Sequence, residues 1–134
     1  MPVFQTVLVA RDEAFAGNRE HMLALLGELD ALQARTEAAS AKSGPRFAKR
    51  GQLLPRQRLG LLLDAGAPFL QLSTLAGFLL DVADPAKSVP GGGCVAGVGS
   101  IAGTLCMVVV DDSGIEAGAL QPMGLEKFQR AQQI

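Results

Sequence analysis

The stretch that decides the fold is VPGGGCVAGVGSIAGTLCMVVVDD, which runs from Val89 to Asp112. Three consecutive glycines open it, further glycines dot the run that follows, and a dense apolar run closes it. Ala102-Gly103 suits a two-residue turn, which would pair Ile101 with Thr104. The stretch therefore predicts a glycine-rich β-hairpin.

One face of this hairpin carries mostly small and apolar residues, because side chains alternate along a strand. They are Val95, Gly97, Gly99, Ile101, Thr104, Cys106, Val108 and Val110. The glycines would leave a shallow trough, open to a ligand or another backbone, or else filled by tight packing within the protein. The spacing G-x-G-x-x-x-G is one residue too long for a dinucleotide fingerprint, and the chain contains no Gly-Lys-Ser/Thr phosphate loop.

The composition is apolar for a chain of one-domain length. Among 134 residues, 49% are hydrophobic, only 19% are charged, and Trp and Tyr are absent. A domain of this size hides about two-thirds of its unfolded surface. We therefore expect some apolar surface to be buried against a partner or the rest of a larger protein.

Positive charge is concentrated in one segment, although the net charge is −1. Half of the 12 Lys and Arg residues lie in a stretch without acids: Lys42, Arg46, Lys49, Arg50, Arg56 and Arg58. This basic segment is either a solvated linker and helix end or a site for the phosphate groups of a ligand. Because only Phe47 is interleaved with these charges, we expect no nucleic-acid partner.

The two cysteines, Cys94 and Cys106, are not expected to pair. The hairpin would place Cys94 opposite Asp111 and Cys106 opposite Gly99, too far apart for a disulfide. The N-terminus lacks the pattern of a signal peptide, and the longest uncharged run is too rich in glycine for a membrane helix. These features together predict a reduced, cytoplasmic protein without a membrane partner.

Helical periodicity predicts a long helix from Asn18 to about Ala41, after an extended arm of residues 1–17. Its apolar stripe consists of Met22, Leu25, Leu26, Leu29 and Leu32. The lone His21 receives no role, and we predict no metal site. A basic loop broken by Gly44 and Pro45 follows, from Ala41 to Gly51.

Shorter elements are predicted after this loop. A short helix would begin at Pro55 and end at Ala65-Gly66, followed by a strand from Phe69 to Leu72 and a loop from Leu79 to Pro90. The apolar spacing near the C-terminus predicts a helix that is still running at Ile134. We therefore expect the chain to be part of a longer protein.

Four segments, taken in order, resemble one enzyme family. They are NREHMLALLGEL (18–29), RGQLLPRQRLGLLLDAGAPFLQLSTLAG (50–77), the hairpin stretch (89–112) and PMGLEKFQRAQQI (122–134). They resemble the N-terminal part of the carboxyltransferase (β) subunits of biotin-dependent acyl-CoA carboxylases, of the methylcrotonyl-CoA, geranyl-CoA and propionyl-CoA carboxylase type. The family pattern runs approximately RGKLLPRERIDLLLDPGSPFLEL, then a Gly-Gly-Ile-Val-x-Gly-Ile-Gly hairpin, then a helix ending in RAQEI.

The resemblance implies an α/β (α+β) fold of the crotonase-like β-β-α type, with residues 18–134 as an incomplete N-terminal part led by a long helix. Members transfer a carboxyl group from carboxybiotin to an acyl-CoA, and a biotin carboxylase or biotin carrier subunit holds the biotin. It also implies a homo-oligomer, which is a hexamer in the family. The family's paired backbone N–H donors, which stabilise the oxyanions, lie beyond the point matching Ile134, so we expect no catalytic residue in this chain.

The resemblance also points to a turn that lies against the CoA. The family usually carries N-D-x-T-V-x-G-G-S/T there, and this chain keeps only Asp112 and Gly118 of that pattern. Glu116 stands where a lysine is common, and its carboxylate would repel CoA phosphates. The expected CoA contacts are Ile115, Glu116, Ala117, Gly118, Ala119, Arg56 and Arg58.

Two functions follow from these observations. The first is part of an acyl-CoA carboxyltransferase subunit, in which this stretch supplies scaffold and part of the CoA-binding wall. The second is a divergent, non-catalytic relative that acts as an assembly or regulatory module. Binding of acyl-CoA by the chain separates the two.

Overall fold

The computed structural model describes residues 10–119 and 121–134. The chain forms two compact units, Met1–Ala31 and Leu32–Ile134. Most of the predicted arm falls on residues 1–9, which lie outside the described residues. No helix in the described ranges is both long enough and apolar enough to cross a membrane.

The long helix α1 spans Glu13–Ala41 and begins five residues before the predicted start at Asn18. Asp12 explains the earlier start, because its Oδ1 accepts the backbone N–H of Phe15 at 2.6 Å and so caps the first turn. In the first unit, the stripe residues Met22, Leu25 and Leu26 are exposed. In the second unit, the end of α1 buries Thr36 and Ser40.

Two short helices follow in the second unit. Helix α2 spans Gly44–Lys49 and helix α3 spans Pro55–Leu62, each with a proline in its first turn. The prediction of a basic loop from Ala41 to Gly51 is therefore wrong at its centre, because a proline is tolerated where the helical N–H has no partner. Helix α3 also ends earlier than predicted, before Ala65-Gly66.

The sheet has three antiparallel strands in the order β1-β2-β3. They are β1 (Leu70–Leu72), β2 (Cys94–Ile101) and β3 (Thr104–Asp111). The predicted hairpin register is confirmed, with Ile101 opposite Thr104, Gly99 opposite Cys106 and Cys94 opposite Asp111. Both cysteines are free, as the register requires.

The core lies between α3 and the glycine-bearing face of the hairpin, where Leu59, Val95 and Val108 are buried. A Cβ on Gly97 or Gly99 would overlap the ring of Phe69. The trough predicted along this face is therefore filled by the protein's own side chain, and the packing alternative is the correct one.

After the hairpin, residues 112–119 form a turn, and helix α4 spans Pro122–Ala131. Gln132 and Gln133 form a turn, so the prediction of a helix still running at Ile134 is wrong by a few residues. Helix α4 packs against β2 and β3 and buries Gly124, Lys127 and Ala131. The turn before α4 contains all five residues of the predicted CoA-binding turn.

Candidate functional site

The turn after β3 has an unusual backbone. Three successive residues, Glu116, Ala117 and Gly118, have φ values of 44°, 57° and 90°. Residues other than glycine rarely adopt this left-handed region, so Glu116 and Ala117 need support from the surrounding structure. Local hydrogen bonds supply part of it, because Ile115 donates to the Asp112 carbonyl at 2.8 Å and Gly118 to the Ile115 carbonyl at 2.9 Å.

The buried carboxylate of Asp112 anchors the start of this turn. Its side chain is 1% exposed, and its Oδ1 accepts the Ser40 hydroxyl at 2.7 Å and the Gly114 N–H at 3.2 Å. The Nε of Arg56 lies 3.4 Å from its Oδ2, which makes an ion pair. A buried carboxylate is tolerated only when it is paired and hydrogen-bonded in this way.

Arg56 is therefore engaged inside the protein. Its Nη1 also lies 3.5 Å from Oε1 of Glu37, so two carboxylates share one guanidinium that is only 24% exposed. Both carboxylates would compete with a phosphate for the same donors. The structure brings Arg56 to the base of the turn, with its charge already balanced.

Arg58 lies in a different environment, two residues further along α3. Together with Ser113 it borders an open pocket of about 500 Å³, whose other walls are Phe47, Gln52 and Leu53. Within the described residues Arg58 makes no ion pair. Its guanidinium, beside the turn and without a carboxylate partner, is suited to an anion.

Side chains in the basic segment also donate hydrogen bonds to the backbone of the turn. Arg46 donates from Nη2 to the Ser113 carbonyl at 3.0 Å, and the Ser43 hydroxyl donates to the Gly114 carbonyl at 2.7 Å. Arg46 belongs to α2 and Ser43 directly precedes it, in a segment that sequence reasoning took for a loop. Part of the basic segment is thus structural, which differs from the solvated linker and helix end that was one of its two predicted roles.

Another part of the turn faces the loop between β1 and β2. Ile115, Glu116 and Ala119 border a small cavity of about 20 Å³, and Lys87 borders it from the facing loop. Oε2 of Glu116 accepts a hydrogen bond from the Gln121 side chain at 2.9 Å. Sequence reasoning missed Lys87, although it is the single cation between residues 79 and 90.

Two acidic residues, Asp111 and Asp112, stand side by side at the end of β3. Burial raises the pKa of Asp111, and the neighbouring charge of Asp112 raises it further. Two cations border cavities beside the turn: Arg58, next to Ser113, and Lys87, whose Nζ also lies 3.5 Å from Oδ2 of Asp84.

Comparison with known proteins identifies the family. The family model described as "Carboxyl transferase domain" matches residues 46–134, which include α3, the whole sheet and the turn. The chain belongs to the carboxyl transferase domain family. The resemblance drawn from the four sequence segments is thereby confirmed.

The chain is also similar to individual carboxylase beta subunits. The chain is 40% identical over 118 residues to the probable mitochondrial methylcrotonoyl-CoA carboxylase beta chain of Drosophila melanogaster, a match that covers 87% of this chain and 20% of the fly protein. It is 34% identical over 131 residues to the biotin-dependent 3-methylcrotonyl-coenzyme A carboxylase beta1 subunit of Mycobacterium tuberculosis, covering 96% and 23%. The chain thus spans about a fifth of the length of these relatives.

A solved structure confirms the fold. The beta subunit of geranyl-CoA carboxylase from P. aeruginosa matches with a TM-score of 0.86 and 47% identity, over 98% of this chain and 24% of that subunit. The transcarboxylase 12S structure, at 20% identity and a TM-score of 0.63, supports the fold alone. The predicted mixed α/β, crotonase-like fold with a long leading helix is confirmed.

Proposed function

We propose that this chain is part of an acyl-CoA carboxyltransferase subunit, which transfers a carboxyl group from carboxybiotin to an acyl-CoA. This stretch would supply scaffold and one wall of the CoA-binding site. The observation that carries the proposal is the 47% identity over 98% of the chain to the geranyl-CoA carboxylase beta subunit. The pocket beside Arg58 is where we propose that the CoA phosphates bind within the stretch.

Two cations, Arg58 and Lys87, would both contribute to binding the phosphates. Arg58 would form charge-assisted hydrogen bonds with a phosphate, and Lys87, which is 79% exposed and paired with Asp84 at 3.5 Å, would be a second cation at the other cavity. The backbone of Ile115, Ala117 and Ala119 would line the wall between them. Glu116 would direct the phosphates towards Arg58, because its own carboxylate repels them.

Biotin enters the proposal as the prosthetic group of a partner subunit or domain. The Mycobacterium tuberculosis relative is named biotin-dependent, and the transcarboxylase structure is described as a hexamer assembly. The pocket beside Arg58 is cationic, which suits a phosphate better than the uncharged ureido group of biotin. We therefore assign biotin to no residue of this stretch, and we propose a homo-oligomer that works with a biotin carboxylase subunit.

The cytoplasmic location remains a prediction, supported by the two unpaired cysteines. The fly and Arabidopsis thaliana relatives are named as mitochondrial. A fluorescent fusion of the chain, viewed in its own cells, distinguishes the two compartments.

Titration calorimetry with acetyl-, propionyl- and methylcrotonyl-CoA tests the proposal. We expect the chain to bind at least one of them, and Arg58→Ala to weaken that binding about tenfold, because a hydrogen bond to a charged group is lost. Arg50→Ala is the matched control. It removes the same charge from the same segment but lies outside the pocket, so its dissociation constant should stay within about twofold of the wild type.

Binding of none of the three thioesters by a folded sample would reject a CoA-binding role. That result would favour the alternative of a non-catalytic assembly module, which keeps the fold and the subunit contacts without the ligand. Equal losses in the Arg58 and Arg50 variants would mean that the phosphates respond to overall charge and that the pocket is wrongly assigned.

A further inference from the structure

We propose that Ser40, Arg56 and Asp112 form a positioning device, here called the Asp112 latch, that holds the CoA-facing turn in its binding conformation. The inference rests on the proposed function and goes beyond it. Arg56, which the sequence predicted as a CoA contact, is assigned instead to supporting the turn that binds the ligand. None of the three side chains needs to touch the substrate.

The latch joins elements that are far apart in the chain. Ser40 lies near the end of α1 and Arg56 in the first turn of α3, while Asp112 begins the turn itself. The Asp112 carboxylate uses one oxygen for the Ser40 hydroxyl and the Gly114 N–H, and the other faces Arg56. Both helices are thereby tied to one buried group.

The turn depends on such a support. Glu116 and Ala117 occupy the left-handed region, which is unfavourable for residues with a Cβ and persists only when the surroundings impose it. Space at the anchor is also restricted, because a Cβ on Gly114 would overlap the side-chain oxygen and the carbonyl of Ser40. The turn therefore has little room to shift while the contacts of the Asp112 latch are formed.

The pairing of charge explains why Arg56 and Arg58 differ. Removing Asp112 would leave Arg56 half-buried without its main partner, and removing Arg56 would leave a buried carboxylate uncompensated. Arg58 has no such partner within the described residues. Substitutions in the latch should therefore disturb the turn first and ligand binding as a consequence, whereas Arg58→Ala should affect binding alone.

Amide hydrogen exchange and acyl-CoA binding, measured on the same samples, test this order of effects. In Asp112→Asn and Ser40→Ala we expect the amides from Gly114 to Gly118 to exchange about tenfold faster or more, with the hairpin amides unchanged. The dissociation constant should rise about tenfold in Asp112→Asn. Arg58→Ala is the control, with weaker binding and wild-type exchange in the turn.

The double variant Ser40→Ala/Asp112→Asn gives an independent readout. Because the two groups share one hydrogen bond, its loss of binding should be clearly smaller than the sum of the single losses. In an active carboxylase that contains this chain, latch variants should raise KM for the acyl-CoA and leave kcat within about twofold.

The outcomes separate the two proposals. If the wild type binds acyl-CoA and the latch variants bind equally well with unchanged exchange, the latch is rejected and the proposed function stands. If the wild type binds no acyl-CoA, the proposed function fails and the positioning role fails with it. Should Asp112→Asn not fold, Ser40→Ala and Arg56→Gln decide the question, since each retains the buried carboxylate.

Discussion

Asp64 shows how one side chain completes an element that lies far from it in sequence. Its carboxylate accepts the N–H groups of Ala102 and Gly103 at 2.7 and 2.8 Å and the Ser100 hydroxyl at 2.6 Å. Ala102 and Gly103 are the two residues of the hairpin turn, with φ values of 50° and 75°. Asp64 thus satisfies donors that the hairpin cannot satisfy by itself.

Because of these hydrogen bonds, we expect the stability of the protein to depend on pH. The bond from Ser100, followed by that from Gly103, lowers the pKa of Asp64 below its ordinary value of 3.8. Because the pKa is lower in the folded protein, the ionised carboxylate stabilises the folded state at pH values above the pKa of Asp64 in the unfolded chain. This contribution is lost as the pH falls through the pKa of the folded protein. Asp64→Asn should therefore be less stable than the wild type near neutral pH.

Urea unfolding of both proteins between about pH 6 and about pH 3 measures this difference. The gap in the free energy of unfolding should narrow as the pH falls. Asp30→Asn, an exposed substitution on α1, controls for the loss of one negative charge. A gap that stays constant with pH would show that the Asp64 carboxylate contributes no charge-dependent stability.

At the scale of elements, helix α4 is fastened to the triple-glycine loop. Gly91, Gly92 and Gly93 all have positive φ. The buried ammonium of Lys127 donates to the carbonyls of Gly91 and Cys94 at 3.1 and 2.7 Å, and burial lowers the pKa of this lysine. The glycines therefore serve the packing of a helix, in a conformation that residues with a Cβ rarely adopt.

The contact between Gly92 and Gly124 predicts opposite effects for two similar substitutions. A Cβ on Gly124 would overlap the Gly92 backbone, so Gly124→Ala should destabilise the protein by about 1–3 kcal/mol. Gly60, in α3, faces open space, so Gly60→Ala should stabilise by about 0.5–1 kcal/mol through helix propensity.

Thermal or urea unfolding of the two variants and the wild type measures the change in the free energy of unfolding for both substitutions. A stabilising Gly124→Ala would mean that α4 does not approach the glycine loop as closely as the structure has it. A destabilising Gly60→Ala would contradict the open environment of α3.

At the scale of the whole molecule, much apolar surface remains uncovered. Leu61, Leu70, Leu80 and Leu105 are 65–76% exposed, as the apolar composition led us to expect. The chain covers only 20% of the fly relative and 24% of the geranyl-CoA carboxylase subunit. In the proposed assembly, the rest of a carboxyltransferase would bury these leucines.

The same comparison predicts what the chain does alone. The purified 134-residue chain should bind acyl-CoA without transferring carboxyl groups, because the resemblance puts the backbone oxyanion donors beyond the point matching Ile134. Incubation with carboxybiotin and each acyl-CoA, followed by mass spectrometry of the thioesters, measures this. Carboxylated product above the rate without protein would contradict it.

Local signals in the sequence predicted the hairpin and the short helix α3. Strand alternation and a two-residue turn act between neighbours in the chain, so the register from Cys94 to Asp111 could be predicted to the residue. The same local reasoning failed at Gly44 and Pro45, where residues that usually break helices instead open α2. It also placed the start of α1 at Asn18, although Asp12 provides the cap.

The sequence by itself thus determined the family, the glycine hairpin and the position of the turn at residues 112–119. Only the tertiary structure decided that Phe69 fills the glycine trough and that Arg56 pairs with Asp112 while Arg58 borders an open pocket. The physical reason is distance along the chain. Asp112 meets Ser40 across 72 residues, and such contacts depend on how helices and sheet pack, which no local pattern encodes.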